Sequence, residues 1–225
     1  MCGFVGFIDK NNIETKKIAL ENMMNRIIHR GPDSAGTYVD EKAALGFRRL
    51  SIIDLEHGSQ PIYNENKDLV IVFNGEIYNF QEIKEDLVSK GHTFLTHTDT
   101  EVIIHGFEEY GKDIVTKLRG MFAFVIWNTK TNVMFGARDM FGIKPFYYSN
   151  TEDAFLFGSE IKSFIEHPCF HKEMNKSALK PYLTFQYSAL NETFFKGVYK
   201  LEPGHCFTYA NGKIGNRNIP FLPVS

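Results

Sequence analysis

The order in which strand-like and helix-like segments follow one another constrains the fold of this chain most strongly. Apolar, β-branched and aromatic segments that suit strands occur in consecutive groups, for example residues 36–40 with 43–49 and residues 121–127 with 133–138. Segments with helical spacing of apolar residues, such as 15–29, lie between those groups. A parallel sheet needs strands and helices that alternate one by one. We therefore predict an α+β protein in which helices cover antiparallel sheets.

One strand-like segment carries a second signal at its end. Residues 69–73 form an unbroken apolar run, which we predict to be a strand ending in a turn at Asn74-Gly75. An asparagine–glycine pair is commonly an ordinary turn. The same pair also places a side-chain amide beside an unobstructed backbone N–H, and these are the two donors of an oxyanion hole.

Cys2 follows the first methionine directly. If Met1 is removed, one residue carries both a thiol and a free α-amine, and the amine can take the proton from its own side chain. The alternative is an ordinary buried cysteine at the start of a strand. Cys2 by itself does not decide between the two interpretations.

Composition narrows the class of partner. The chain has 225 residues and a net charge of −2, without the basic stripe expected of a nucleic-acid or anionic-membrane binder. No stretch approaches the roughly 18 apolar residues of a membrane span. Three widely spaced cysteines (Cys2, Cys169 and Cys206) and the lack of a signal peptide predict a reducing, cytoplasmic location.

Three further positions are candidates for substrate contacts. Arg48 and Arg49 end a predicted strand, so alternation sends them to opposite faces and at most one faces a site, where it could clamp a carboxylate. Asp99 could bind an ammonium group or simply cap a helix. The segment 30–33 could be no more than a helix stop.

Other chemistry is not indicated. The eight histidines show no metal-ligand spacing, and no phosphate or dinucleotide loop occurs. We expect neither a metal nor a cofactor in this chain.

Taken in order, the motifs of the chain resemble the class II glutamine amidotransferases, and most of all the N-terminal glutaminase domain of glutamine-hydrolysing asparagine synthetases. The resemblance runs from Cys2 to about Gly212. The motifs that carry it are Cys2-Gly3, Arg30-Gly31-Pro32-Asp33, Arg49-Leu50-Ser51-Ile52, Asn74-Gly75-Glu76-Ile77-Tyr78-Asn79, Asp99-Thr100-Glu101-Val102, Arg119-Gly120-Met121-Phe122-Ala123-Phe124, Arg138-Asp139 and Gly142-Ile143-Lys144-Pro145.

The resemblance implies a four-layer αββα sandwich of the N-terminal-nucleophile hydrolase type and hydrolysis of L-glutamine to glutamate and ammonia. It implies that Cys2 is the nucleophile, with its own amine as base, and that Asn74 and Gly75 form the oxyanion hole. The implied substrate contacts and supporting residues are Arg49 for the α-carboxylate, Glu76 and Asp99 for the α-ammonium, the backbone of Leu50, Ser51, Ile52 and Ile53 along the pocket, and Arg30, Gly31 and Asp33 in a loop over the nucleophile.

The chain departs from that family in one respect. Asparagine synthetases continue into an ATP-dependent domain with a Ser-Gly-Gly-x-Asp-Ser loop, and that sequence does not occur here. We therefore expect a glutaminase domain over residues 2–212, an atypical tail over 213–225, and a partner domain or subunit that holds ATP and Mg²⁺ and amidates aspartate. Loss of such a partner should expose an apolar patch.

Three alternatives stay open at this point. The first is transfer of the ammonia to another acceptor. The second is an N-terminal cysteine amidase that acts on other amides. The third is a non-catalytic domain that docks onto a synthetase or gates it.

Overall fold

The computed structural model describes residues 1–50, 58–188 and 190–220. Within these residues the chain forms twelve strands: β1 (Gly3–Asp9), β2 (Ser34–Val39), β3 (Ala43–Arg49), β4 (Ile62–Tyr63), β5 (Leu69–Ile77), β6 (Gly120–Asn128), β7 (Val133–Arg138), β8 (Tyr147–Asn150), β9 (Ala154–Gly158), β10 (Val198–Lys200), β11 (His205–Ala210) and β12 (Lys213–Asn218).

Five α-helices occur in the same described part of the chain: α1 (Ile13–Arg26), α2 (Phe80–Ser89), α3 (Thr100–Tyr110), α4 (Ile114–Lys117) and α5 (Lys176–Phe185). The first begins where the sequence favours it, because the Asn12 side chain accepts a hydrogen bond from the backbone N–H of Thr15. Short 3₁₀ segments at Ile28–Arg30 and Ile161–Glu166 flank the α1 side of the molecule. Among the described helices none is long and apolar enough to cross a lipid bilayer.

The strands form two six-stranded sheets in which the pairs that we observe are antiparallel. The first sheet has the order β10-β8-β9-β1-β3-β2 and the second has the order β12-β11-β7-β6-β5-β4. In the first sheet Gly3 lies opposite Arg48, so the beginning of β1 and the end of β3 meet at one edge of the sandwich. Consequently Cys2 and Arg49 are brought to the same end of the molecule.

Three apolar clusters show how the layers stack. Side chains of both sheets, such as Phe4 from β1 and Val72 from β5, share one cluster between the sheets. Opposite faces of the sheets pack against helices: Phe7 contacts the α1 cluster, and Ile71 contacts the cluster of α2 and α3. Strands β1, β3 and β5 are almost continuously buried along their length, so side chains on both faces of each strand are covered. The predicted four-layer αββα arrangement of antiparallel sheets is confirmed.

The prediction of a turn at Asn74-Gly75 was wrong. Strand β5 continues to Ile77, and Asn74 and Gly75 lie opposite Ala123 and Phe122 of β6 within an unbroken ladder. The local turn preference is overridden because β6 is long enough to pair with the whole segment. A Cβ atom on Gly75 would lie 2.3 Å from the Met121 carbonyl oxygen, so the glycine is required by close strand packing.

Two strands carried no recognisable sequence signal. The short strand β4 pairs with β5 at Ile71 and Val70, and β12 pairs along its full length with β11. Residues 213–218, which the sequence assigned to the tail, are therefore hydrogen-bonded into the second sheet.

Candidate active site

Cys2 lies immediately before β1, which is the strand between β9 and β3 in the first sheet. Its thiol is partly exposed and contacts Leu50 twice: the Leu50 N–H donates to Sγ over 3.4 Å, and Sγ donates to the Leu50 carbonyl over 3.5 Å. Met1 precedes it with half of its surface exposed. The thiol is thus held in one place by backbone groups and remains accessible.

The loop that follows α1 supports this end of β1. The Arg30 Nε donates to the Cys2 carbonyl over 2.9 Å, and its Nη1 pairs with Glu160 at 3.0 Å. The Asp33 N–H donates to the Arg49 carbonyl over 3.1 Å. A Cβ atom on Gly31 would lie 2.3–2.4 Å from backbone atoms of Arg48 and Arg49, so the loop fits here because that residue has no side chain.

A pocket of about 140 Å³ opens beside the Cys2 thiol. Its walls come from the ends of β1 and β3, from the edge of β5 and from the segment before α3. The residues that line it are Cys2, Phe47, Arg49, Leu50, Gly58, Gln60, Phe73, Gly75, Glu76, Thr98, Asp99 and Thr100. Six sequence-predicted residues are therefore together in one pocket: Cys2, Arg49, Leu50, Gly75, Glu76 and Asp99. Ser51, Ile52 and Ile53 fall outside the described residues.

Gly75 presents its backbone N–H to this pocket because of the alternation along β5. The Phe73 N–H donates to Gln60 Oε1 at 2.6 Å and the Ile77 N–H donates to Asp99 Oδ2 at 2.8 Å, both on the edge of β5 that faces away from β6. Gly75 lies between them with the same parity, so its N–H points to the same edge.

Asn74 lies beneath the pocket wall rather than on its surface. Its side chain shares a face of β5 with Val70 and Val72, whose apolar cluster includes Cys2 at its margin. It is 2% exposed, and its Nδ2 has no hydrogen-bond partner among the residues that the structure describes. An unpaired buried donor costs roughly 1–3 kcal/mol and is uncommon in native proteins. Such a group is poised for an acceptor that is supplied from outside.

The two neighbouring arginines lie on opposite faces of β3, as strand alternation predicts. Arg49 is 6% exposed and lines the pocket. Arg48 instead turns to α1, where its Nε donates to the Met24 carbonyl over 3.2 Å and its Nη2 donates to Asn25 Oδ1 over 2.5 Å. Only Arg49 contributes a guanidinium to the pocket.

Two acidic residues, Glu76 and Asp99, also line the pocket. Asp99 precedes α3, and burial together with the nearby Glu76 carboxylate raises its pKa to about 6, although hydrogen bonds from backbone N–H groups act in the other direction. Its side chain does not cap α3 and accepts instead from the Ile77 N–H. A pocket that is lined by one arginine and two acidic residues is complementary in charge to a zwitterionic amino acid.

Two residues that organise the pocket were given no role by the sequence analysis. Gln60 is buried, and its side-chain amide pairs with both the N–H and the carbonyl of Phe73, in place of a neighbouring strand. Glu101 is buried and accepts hydrogen bonds from the N–H groups of Leu95 and Thr96, which fixes the segment that leads to Asp99. Gln60 has no local sequence signal because its partner Phe73 is distant in the chain, and the motif that contains Glu101 does not reveal its contacts with the irregular segment before α3.

Some motifs of the resemblance build the scaffold rather than the pocket. Asp139 is fully buried, and its carboxylate accepts from the N–H groups of Phe122, Ile143 and Lys144. Arg138 donates to three backbone carbonyls in the same region. These residues fix a turn beside β6, away from Cys2.

Known proteins that are similar to this chain indicate its family. A family model described as the glutamine amidotransferase domain matches residues 1–219. Over 211 residues the chain is 46% identical to asparagine synthetase (glutamine-hydrolyzing) 1 of Bacillus subtilis strain 168. This match covers 92% of this chain and 33% of that protein. A probable asparagine synthetase (glutamine-hydrolyzing) of Dictyostelium discoideum is 41% identical over 174 residues, or 76% of this chain and 31% of that protein. The chain therefore spans about one third of the length of these relatives.

The solved structure of glutamine phosphoribosylpyrophosphate amidotransferase from B. subtilis, complexed with ADP and GMP, has a TM-score of 0.68 to this chain. It is 20% identical, and the match covers 98% of this chain and 50% of that one, which supports the fold alone. The family model, the curated relatives and the sandwich agree with one another. The chain belongs to the glutamine amidotransferase domain family.

Proposed function

We propose that this chain hydrolyses the side-chain amide of L-glutamine, with Cys2 as the nucleophile once Met1 has been removed. The observation that carries the proposal is the pocket itself, which is lined by the partly exposed Cys2, by Arg49 and by the acidic residues Asp99 and Glu76. Arg49 can bind the α-carboxylate of a free amino acid, and the two acidic residues can bind its α-ammonium group. The Cys2 thiol then faces the side-chain amide of that amino acid.

The bond-making step begins with the Cys2 thiol. Its proton passes to the α-amine of the same residue while Sγ attacks the carboxamide carbon of glutamine. The protonated amine then donates to the departing nitrogen, so ammonia leaves and a γ-glutamyl thioester remains. Water adds to the thioester, releases glutamate and restores the thiol. Arg30 keeps the Cys2 backbone in position through its bond to the carbonyl.

The oxyanion that forms during attack is held by two donors. The Gly75 N–H points to the pocket edge, and the Asn74 amide lies on the face of β5 that adjoins Cys2. Since Asn74 Nδ2 has no partner among the described residues, a developing negative charge satisfies a donor that is already buried and oriented. Such preorganised donors favour the transition state over the ground state.

The test is release of glutamate from L-glutamine by the purified chain, with the Cys2→Ala variant measured in parallel. We expect release by the natural sequence and none by the variant. The intact mass should show the loss of Met1. Equal release by both proteins would contradict the assignment of the nucleophile. A panel of other primary amides separates a glutaminase from a general amidase, because the Arg49 and Asp99 contacts require a free amino acid.

We further propose that the ammonia serves glutamine-dependent synthesis of asparagine at a separate ATP-dependent site, as the names of the relatives suggest. That site would belong to a synthetase domain or subunit that binds ATP and Mg²⁺. The three cysteines of the chain are free, which fits the cytoplasmic location that we propose.

An exposed apolar surface around α5 supports such a partner. Leu179, Tyr182 and Leu183 follow one another at helical spacing on the exposed side of α5, and Phe185 and Tyr187 continue the patch with their rings 6.0 Å apart. Contiguous apolar patches of this kind mark interaction sites. We propose that this face packs against the synthetase part, and that the glutaminase domain extends through β12.

A further inference from the structure

A cluster of two histidines and two glutamates lies towards the other end of α3 from Asp99. Glu65 belongs to the turn between β4 and β5, His92 follows α2, and His105 and Glu108 are one turn apart on α3. At 1.5 Å per residue, His105 lies about 9 Å along the helix from Asp99. The cluster is therefore separate from the pocket that contains Cys2.

The ligand atoms of the cluster converge on one point. One nitrogen or oxygen atom from each of the four side chains lies within 4.8 Å of all the others. Glu65 is 3.0 Å from His105 Nδ1 through one oxygen and 3.2 Å from His92 Nδ1 through the other. Tetrahedral bonds of 2.0–2.1 Å place ligand atoms about 3.4 Å apart. Small rotations of the exposed Glu65 and Glu108 side chains close the remaining gap.

His105 provides an independent indication that this cluster holds a ligand. The side chain is 1% exposed, yet its Nδ1 makes no hydrogen bond to any residue that the structure describes. The nearest Glu65 oxygen is close to Nδ1 but is not aligned for a hydrogen bond. A buried ring nitrogen that faces carboxylates without an aligned hydrogen bond has the position expected of a metal ligand in the absence of its ion.

The surroundings of the four side chains also match a metal site. His105 Nε2 lies 3.3 Å from the buried Glu101 carboxylate, which fixes the ring so that Nδ1 faces the cluster. The Asn64 side chain donates to Glu108 over 3.0 Å, and Asn64 itself is held by the N–H groups of Asp68 and Leu69. Metal-binding histidines usually pair their second nitrogen with a carboxylate in this way.

We propose that Glu65, His92, His105 and Glu108 bind a divalent transition-metal ion of the zinc type. Two imidazoles with two carboxylates favour Zn²⁺ over Mg²⁺ or Ca²⁺, which prefer all-oxygen sites. The ion joins the β4–β5 turn and the segment after α2 to α3, whose first residues form a wall of the glutamine pocket. The proposal does not depend on the chemistry at Cys2.

The experiment titrates ZnCl₂ into the tag-free chain in competition with a chromophoric chelator. All proteins carry Cys2→Ala, so that the thiol does not contribute to binding. We expect one tightly bound equivalent, a higher melting temperature with Zn²⁺, and no competition from a large excess of Mg²⁺. His92→Gln and Glu108→Gln change partly exposed and exposed side chains, so both variants should fold, and each should weaken binding at least tenfold.

Two matched controls accompany these variants. His171→Gln and Glu85→Gln change exposed residues of the same types outside the cluster, and both should bind Zn²⁺ like the parent protein. Absence of stoichiometric binding by the folded parent would overturn the proposal. Equal affinity in the cluster variants and the parent would also overturn it, since the ion would then be bound elsewhere.

Discussion

The two ends of β1 carry polar groups that are arranged in opposite ways. At the Cys2 end, the Asn74 amide nitrogen is buried without a partner in the described structure, and burial beside Glu76 raises the pKa of Asp99 to about 6. At the other end, the carboxylate of the buried residue Asp9 has several partners. The buried Lys16 ammonium lies 2.9 Å from it, and Asn11 and His167 are also adjacent.

The electrostatic result at the Asp9 end is the reverse of that at Asp99. Burial alone would raise the pKa of Asp9, but the partners His167, Lys16 and Asn11 outweigh it and lower the pKa to about 2. Lys16 also donates to the backbone carbonyls of Asn11 and Glu41. Direct pairing of the Asp9 carboxylate with a buried cation identifies that end as structural, whereas the partnerless Asn74 amide at the Cys2 end leaves a donor that a substrate can satisfy.

The largest effect on stability is expected at the structural end. Lys16→Met removes a fully buried cation and leaves the Asp9 carboxylate without its counter-charge and several carbonyls without a donor, so we expect a loss of roughly 3–5 kcal/mol in the free energy of unfolding. Urea denaturation measures this change. The same variant should keep the glutaminase turnover of its folded fraction, because Asp9 and Cys2 lie at opposite ends of the strand. Loss of turnover in folded protein would show that the two ends are coupled.

The opposite pattern is expected at Asn74. Asn74→Ala removes one oxyanion donor and should lower kcat by roughly 10²–10³-fold, with little change in glutamine binding. Its free energy of unfolding should fall much less than that of Lys16→Met, since the amide nitrogen has no partner to lose among the described residues. Steady-state kinetics and urea denaturation on the same preparation separate the two effects. Near-normal turnover would remove Asn74 from the mechanism.

Local periodicity predicted antiparallel sheets covered by helices and the opposite facing of Arg48 and Arg49, whereas the four-layer arrangement was implied by the family resemblance. The sequence-based prediction failed at Asn74-Gly75, where the pairing partner lies almost fifty residues away on β6 and overrides a local turn preference. The sequence also did not predict the cluster of two histidines and two glutamates. Glu65, His92 and His105 have no regular spacing, and only the packing of α3 against the β4–β5 turn brings them together.

Asp99 offers a smaller effect that changes sign between stability and binding. A carboxyl group whose pKa is raised by folding destabilises the folded state as pH rises from about 4 to about 6, because the unfolded chain ionises first. Asp99→Asn should therefore be more stable than the parent above pH 6, by about 2–3 kcal/mol, and equally stable near pH 3.5. The same variant should bind glutamine more weakly at pH 7.5. Urea denaturation at several pH values checks the first expectation, and KM checks the second. A variant that is less stable than its parent at pH 7.5 would contradict the account.

The smallest expected effect tests which arginine of β3 belongs to the pocket. Lysine keeps the positive charge of Arg49 but loses the forked pair of hydrogen bonds to a carboxylate, so Arg49→Lys should raise KM for glutamine about tenfold, which corresponds to roughly 1.4 kcal/mol. Arg48→Lys is the matched control, since Arg48 contacts α1 on the other face of the same strand. It should leave KM unchanged and lower only the melting temperature. If Arg48→Lys raised KM and Arg49→Lys did not, the contact with the substrate carboxylate would have to be reassigned from Arg49 to Arg48. The charge of Arg49 would then no longer explain why the pocket beside Cys2 is specific for an amino acid.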